Sequence, residues 1–361
     1  MRELFIVFLA WLTGGFVHPK MELATVGDDY AVFYRRSKGT VEPIRLDNLK
    51  PAHSYDFYGS HFTTLARPSG KLLCTFASVN DVHIGETICG FDSHHPKRGP
   101  ILRNEEGKIP YAEMMSRNAV DEISKINPDA VLVKGDITDA GKPEEFKKFL
   151  EIWGKFGRKL HWVCGNHDVH SKRPDDAQRM VKVELKGITL ALLDTAIEGK
   201  PNGQVSQDQL DWLRAIAEAS DRPVMVFGHH HIWNPKYKRE EKFFGIQPDD
   251  SEKLLALFRE HKCMVGYFSG HTHSNHVEFM DDMPGVPFAQ TGAVKEFPGA
   301  WIEYKVYENG IQQIMHRLNS DECLRWEEMT SCMELGRYEK RHFGKLSDRC
   351  FTIATRKSSL Q

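Results

Sequence analysis

Between positions 71 and 318 the chain alternates short apolar runs of strand length with longer stretches whose apolar residues recur every three or four positions. The short runs predict buried strands and the longer ones amphipathic helices. Residues 72–79 read as a strand. Residues 111–126 read as a helix, because Ala112, Met115, Ala119, Val120, Ile123 and Ile126 fall on one face. Asn127-Pro128 ends it. A strand at 130–134 follows, then a helix at 143–156 with Pro143 in its first turn, then a strand at 160–164. Residues 181–185 and 188–193 form a strand pair around Lys186-Gly187. Ser206 and Gln209 open a helix over 206–218 with a capping-box pattern. Strands at 224–227 and 264–269 flank a helix at 251–261, and strand-like segments continue to 318. This order of strand and helix predicts a layered α/β domain.

The ends differ. Residues 1–67 read as a small β-rich domain, with strands at 31–35 and 55–58 and turn-prone Gly27-Asp28-Asp29 and Lys38-Gly39 between apolar stretches. Leu46-x-x-Leu49-x-Pro51-x-x-x-Tyr55 resembles the tyrosine-corner region of fibronectin type III-like sandwiches. Arg67-Pro68-Ser69-Gly70 is the linker to a second domain at 68–320. Residues 321–361 are charged and less regular, a tail packed on the body. Residues 1–15 carry Arg2 and an apolar run from Leu4 to Leu12, followed by Thr13-Gly14-Gly15. They read equally as a signal peptide or as a buried first strand. A cytoplasmic chain is the favoured reading, and an exported one is the alternative. The run is too short to span a bilayer, and no other segment is long enough.

Composition narrows the function. With 40% hydrophobic and 27% charged residues the chain can build a substantial core. A net charge of −2 and the lack of a basic, aromatic-interleaved stripe argue against a nucleic-acid polymer as partner. The seven cysteines are an odd number without a CxxC pair, so a disulfide framework is not expected. Cys74, Cys164 and Cys263 lie in apolar runs and read as small core residues.

Five polar clusters each follow an apolar strand: Asp81-Val82-His83, Gly135-Asp136-Ile137-Thr138-Asp139, Gly165-Asn166-His167-Asp168, Gly228-His229-His230-His231 and Gly270-His271-Thr272-His273. Open α/β sheets bind ligands at the carboxyl ends of their strands. Carboxylate, imidazole and amide oxygen suit metals such as Mn, Zn or Fe, and no cysteine falls among them. Most of these clusters are weak alone, since a lone D-x-H or G-D is common and G-N-H-D can be a self-capping loop; G-H-x-H is moderately specific. Five in series, each after a strand, are specific.

The series resembles the calcineurin-like metallophosphoesterase superfamily over roughly residues 72–320. Its G-D-I-T-D-A-G and G-N-H-D forms are similar to the class III cyclic-nucleotide phosphodiesterase branch. The resemblance implies a four-layer α/β/β/α sandwich and two divalent metal ions in one site. It assigns Asp81, His83 and His273 to the first metal, and Asn166, His229 and His271 to the second, with Asp136 bridging. It also implies a metal-bridging hydroxide as nucleophile and His167 as the group that contacts a phosphoryl oxygen or protonates the leaving alkoxide. Asp168 then orients His167 or caps its loop, and orientation is the favoured role.

Three departures matter. Asn80 stands where Ser or Thr often precedes the first Asp, and its side chain is expected to face away. The histidine cluster lacks the proline that often follows, which leaves His229 or His230 as ligand; His229, directly after the glycine, is preferred. Asp139 occupies the tyrosine position of purple acid phosphatases, so no ferric-tyrosinate site is expected. The loop over 85–100 follows the first motif, so His94 and His95 are candidate substrate contacts, as is His230. The basic run Lys236-Tyr237-Lys238-Arg239 reads as a solvated loop. Thr291-Gly292-Ala293 and Phe297-Pro298-Gly299 read as strand-end turns. The function expected is hydrolysis of a small phosphodiester of cyclic-nucleotide or glycerophosphodiester type. The alternatives are a phosphomonoesterase with the same metals and a non-catalytic scaffold on the same fold.

Overall fold

The structure is a computed structural model, and it describes residues 20–37, 40–90, 99–170, 172–175, 177–240 and 243–355. The apolar run at 4–12, and with it the choice between signal peptide and strand, lies outside these residues. So do His94 and His95. No helix among the described residues is long and apolar enough to cross a membrane.

The N-terminal segment is β-rich, as expected. Strands β1 (Met21–Val26), β2 (Ala31–Ser37) and β3 (Thr40–Leu46) form an antiparallel sheet, and β4 (Ser54–Phe57) pairs with β5 (Ser60–Thr63). Tyr55 of the corner motif accepts a hydrogen bond from the Lys50 amide at 2.8 Å. Beyond it, β6 (Leu72–Val79) enters the main body and a short pair, β7 (Ile88–Cys89) and β8 (Leu102–Arg103), follows. Then come α1 (Tyr111–Lys125), β9 (Ala130–Lys134), α2 (Pro143–Trp153), β10 (Leu160–Val163), β11 (Met180–Leu185), β12 (Ile188–Leu193) and α3 (Gln207–Ala219). The chain continues through β13 (Val224–Gly228), α4 (Pro248–Glu260), β14 (Met264–Ser269), β15 (His276–Met280), β16 (Met283–Gln290), β17 (Ala300–Tyr307) and β18 (Gly310–Arg317). It closes with α5 (Asp321–Ser331), three short helical turns and β19 (Cys350–Ala354).

Two six-stranded sheets face each other, in orders β10-β9-β6-β17-β18-β19 and β11-β12-β13-β14-β16-β15. Strands β6, β9 and β10 run parallel, as do β12, β13, β14 and β16. Strand alternation assigns the layers. Met225 and Phe227 of β13 face the opposite sheet, where Phe227 lies 6.1 Å from Phe76; Phe268 of the neighbouring strand β14 lies 5.3 Å from it on the same side. Val224 and Val226 face outward, into a cluster with Leu213 of α3 and Leu254 of α4. Helices α1 and α2 cover the other sheet with Met115, Val120, Phe149 and Trp153. The result is the expected α/β/β/α sandwich, with sheets buried on both faces.

Differences from the sequence reading are local. The helix expected over 143–156 ends at Trp153 and tightens into a 3₁₀ segment over Gly154–Lys159, where Gly157 takes φ +56°. Helix α4 starts three residues early because Pro248 serves as its first residue, with Asp249 and Asp250 in its first turn. The C-terminal tail is part of the fold, since β19 is the edge strand of the first sheet.

Candidate metal centre

The loops that leave β6, β9, β10, β13 and β14 meet at one rim, and backbone hydrogen bonds join them in pairs. The amides of Val82 and His83 both donate to the Asp136 carbonyl, at 2.8 and 2.9 Å, and Gly270 N donates to the His229 carbonyl at 2.9 Å. Asp81, His83, Asp136, His271 and His273 all have φ between +47° and +68°. Such backbone is uncommon in non-glycine residues and clusters at functional sites. Glycines in these loops make room. A Cβ on Gly135 would sit 2.7 Å from the His229 ring, and one on Gly165 would collide with the Asp136 carboxylate.

Asp136 stands at the middle. Its Oδ2 lies 3.1 Å from His229 Nε2 and 3.5 Å from His83 Nε2. His273 Nε2 lies 3.3 Å from Asp81 Oδ1, and Asn166 Oδ1 lies 3.2 Å from His229 Nε2. One ligand atom from each of Asp81, His83 and His273 falls within 4.8 Å of the others, as it does for Asp81, Asp136 and His229 and for His229, His230 and His271. Asp81 Oδ1 and both ring nitrogens of His83 are buried without a hydrogen-bond partner. Buried polar atoms are normally satisfied, so these orphans fit cations supplied from outside the chain. Burial keeps His271 neutral, its pKa pushed down to about 3, as a nitrogen ligand must be. Against burial, Asp136 pushes His229 up to about 9.

His229 and His230 differ in their Nδ1 partners, and His230 Nε2, buried without a hydrogen-bond partner and grouped with His229 and His271, is also a candidate ligand atom. His229 Nδ1 bonds the Lys134 carbonyl at 2.9 Å, which leaves Nε2 toward Asp136. His230 Nδ1 is tied to Thr195 Oγ1 at 2.8 Å. His230 is fully buried and does not line the cleft, so it is not placed for substrate contact.

Asp168 does not orient His167. Its carboxylate accepts from the amides of Gly165, Ile137 and Thr138 at 2.7, 3.1 and 2.8 Å and from Thr138 Oγ1 at 2.7 Å. Capping the two loops saturates it. His167 is held instead by the Asp139 carbonyl, 2.7 Å from Nδ1. Asn80 also differs from expectation. Its amide is buried and donates to Asp81 Oδ2 and, at 3.2 Å, to the carbonyls of Thr291 and Gly292. Arg239 of the basic run pairs with Asp249 and Glu252 in solvent, away from the site.

Sequence reading missed Glu296. This buried carboxylate accepts from His273 Nδ1 at 2.6 Å, from Tyr338 Oη, and from Cys89 Sγ at 2.9 Å, with Lys295 Nζ 3.5 Å away. A carboxylate on the far nitrogen of a ligating histidine fixes its tautomer and orientation. A Lys-Glu pair inside the otherwise apolar stretch 293–302 is the signal that could have pointed to it. The metal-facing residues open into a cleft of about 380 Å³ whose far wall comes from the C-terminal segment, through Met333, Glu334, Tyr338 and His342.

Residues 74–275 match the family model described as calcineurin-like phosphoesterase. Among curated proteins, the glycerophosphodiester phosphodiesterase GpdQ of Enterobacter lignolyticus is 30% identical over 192 residues, covering 48% of this chain and 68% of that one. The 3',5'-cyclic adenosine monophosphate phosphodiesterase CpdA of Haemophilus influenzae is 31% identical over 152 residues, covering 40% of this chain and 54% of its own length. In fold, the chain is similar to a dimetal phosphatase from Danio rerio, with a TM-score of 0.56 at 15% identity over 79% of this chain and 100% of that one. It is also similar to a purple acid phosphatase from yellow lupin seeds, with a TM-score of 0.50 at 10% identity over 93% and 74%.

Proposed function

This chain belongs to the calcineurin-like phosphoesterase family, and on that premise we propose that it hydrolyses small phosphodiesters with two divalent metal ions. The observation that carries the reading is the buried Asp136 carboxylate, flanked by His83 and His229 with unpartnered ligand atoms beside it. Asp81, His83 and His273 would hold one ion and Asn166, His229 and His271 the other, with Asp136 shared; Mn, Zn and Fe all suit these donors. Two such cations would polarise the phosphoryl oxygens and make hydroxide available at neutral pH. A shared carboxylate offsets part of their mutual repulsion.

The chain's own residues do the rest. A carbonyl can only accept, so the Asp139 carbonyl holds a proton on His167 Nδ1 and leaves Nε2 to meet the substrate. As imidazolium, His167 gives the Nε2 proton to the departing alkoxide. Glu296 holds His273 in place. The choice of a diester rests on the two relatives, whose names are those of diesterases. With Mn added, bis-p-nitrophenyl phosphate should be cleaved faster than p-nitrophenyl phosphate. A much faster monoester rate would sink the diesterase reading, and hydrolysis of neither would favour a scaffold.

A further inference from the structure

The wall of the cleft opposite the motif loops is built by residues that no catalytic motif contains. One of them carries an unanswered hydrogen-bonding atom. His342 lines the cleft, is 7% exposed, and stacks on Tyr338 with ring centroids 3.8 Å apart. Its Nδ1 lies 2.8 Å from Ser274 Oγ, and Ser274 Oγ donates its single proton to the Thr272 carbonyl at 3.0 Å. The serine oxygen therefore accepts from Nδ1–H, and the lone pair of the imidazole sits on Nε2. That Nε2 is buried and has no partner. Burial keeps the ring neutral, its pKa pushed down to about 4. The orphan is thus an acceptor, and a phosphoryl oxygen cannot satisfy it, because that is an acceptor too. An O–H or N–H donor can.

Resting on the diesterase reading above, we propose that His342 is a specificity-determining residue whose Nε2 accepts a hydrogen bond from a hydroxyl of the substrate's alcohol moiety. His342 lines the same cleft as His167, His83 and His273. A p-nitrophenyl leaving group carries no hydroxyl, so in esters of p-nitrophenol the alcohol that His342 reads is the one that stays on phosphorus. The chemistry is that of a polyhydroxylated alcohol, and glycerol and a sugar both supply it.

The test keeps one leaving group and varies the retained alcohol. Glyceryl p-nitrophenyl phosphate and thymidine 5'-(p-nitrophenyl phosphate) carry hydroxyls, and propyl p-nitrophenyl phosphate carries none. The wild-type enzyme should prefer at least one hydroxylated ester by roughly tenfold or more in kcat/KM, mostly through KM, about the effect of one buried hydrogen bond. Which of the two wins identifies glycerol or sugar as the source. His342→Phe, which keeps the stack on Tyr338, should collapse that ratio toward one, and His342→Gln, which restores an acceptor, should recover part of it. Equal losses on hydroxylated and plain esters would reduce His342 to a structural role and overturn the proposal. So would an unchanged ratio. Should His342→Phe fail to fold, the wild-type ratio still decides, since no preference for a hydroxylated ester overturns the proposal by itself. A wild-type enzyme that cleaves none of the three esters refutes the diesterase reading instead, so the two failures are distinguishable.

Discussion

Asp136 holds a left-handed backbone with φ +47°, beneath a glycine pair that lets its carboxylate sit between two imidazoles. In the proposed scheme, removing that carboxylate would take a ligand from both metal positions at once. Asp136→Ala should therefore lose metal at both, read by elemental analysis of the purified protein, and retention of two tightly bound ions would contradict the shared role. His167 packs against His83 but holds no metal in the proposed scheme. His167→Ala should keep both metals and lose rate by about 10²- to 10⁴-fold, the usual worth of a positioned acid. The loss should be heaviest on alkyl esters and lightest on p-nitrophenyl esters, whose leaving group needs no proton. Equal losses across leaving groups would remove the acid role. Such residues were readable in the sequence because each is local to a strand end. Asp168 was misread for a physical reason: a carboxylate beside a histidine in sequence is not beside it in space when four loop donors compete for it.

At the scale of elements, the strands were legible because both faces of each sheet are covered, which makes continuous apolar runs such as Ile188–Leu193. The candidate ligands were legible because they stand where those runs stop. What holds the ligands was not. Glu296 reaches His273 across 23 positions and Tyr338 reaches Glu296 across 42, and no short pattern spans such gaps. Asn80 was legible as a residue but not as a contact, since its partners lie 211 and 212 positions on. The loop before β17 thus reaches the metal site by two routes, through Glu296 to His273 and through Thr291 and Gly292 to Asn80 beside Asp81. Glu296→Gln keeps the shape and removes the charge, and it should weaken metal affinity by roughly 10- to 100-fold. A manganese titration followed by activity or calorimetry measures this directly. Unchanged affinity would mean that the 2.6 Å bond to His273 tunes nothing.

For the whole molecule, the N-terminal strands are joined to the body by buried charge as well as by apolar packing. Glu22 of β1 accepts from Arg36 Nη2 at 2.9 Å and from Arg317 Nη1 of β18 at 2.5 Å. Arg317 also bonds Glu327 of α5 at 2.6 Å and lies 4.3 Å from the centre of the Tyr34 ring. Burial by itself would raise the Glu22 pKa, but the two guanidiniums outweigh it and bring the pKa from 4.5 down to about 2. A carboxyl whose folded pKa is depressed stabilises the fold fully above its unfolded value and loses that contribution as pH falls through its folded value. The window is therefore pH 4.5 down to about 2, and the shift corresponds to roughly 3 kcal/mol. Glu22→Gln leaves two buried guanidiniums without their shared carboxylate, so it should lower the melting temperature at pH 7. Because the wild-type advantage depends on an ionised Glu22, the gap between the two proteins should narrow steadily as pH is lowered through that window. Melting curves of both proteins from pH 7 to pH 2.5 make the comparison. A gap that stays constant over that range would show that the clamp between the N-terminal sheet and the catalytic body works by shape and not by charge.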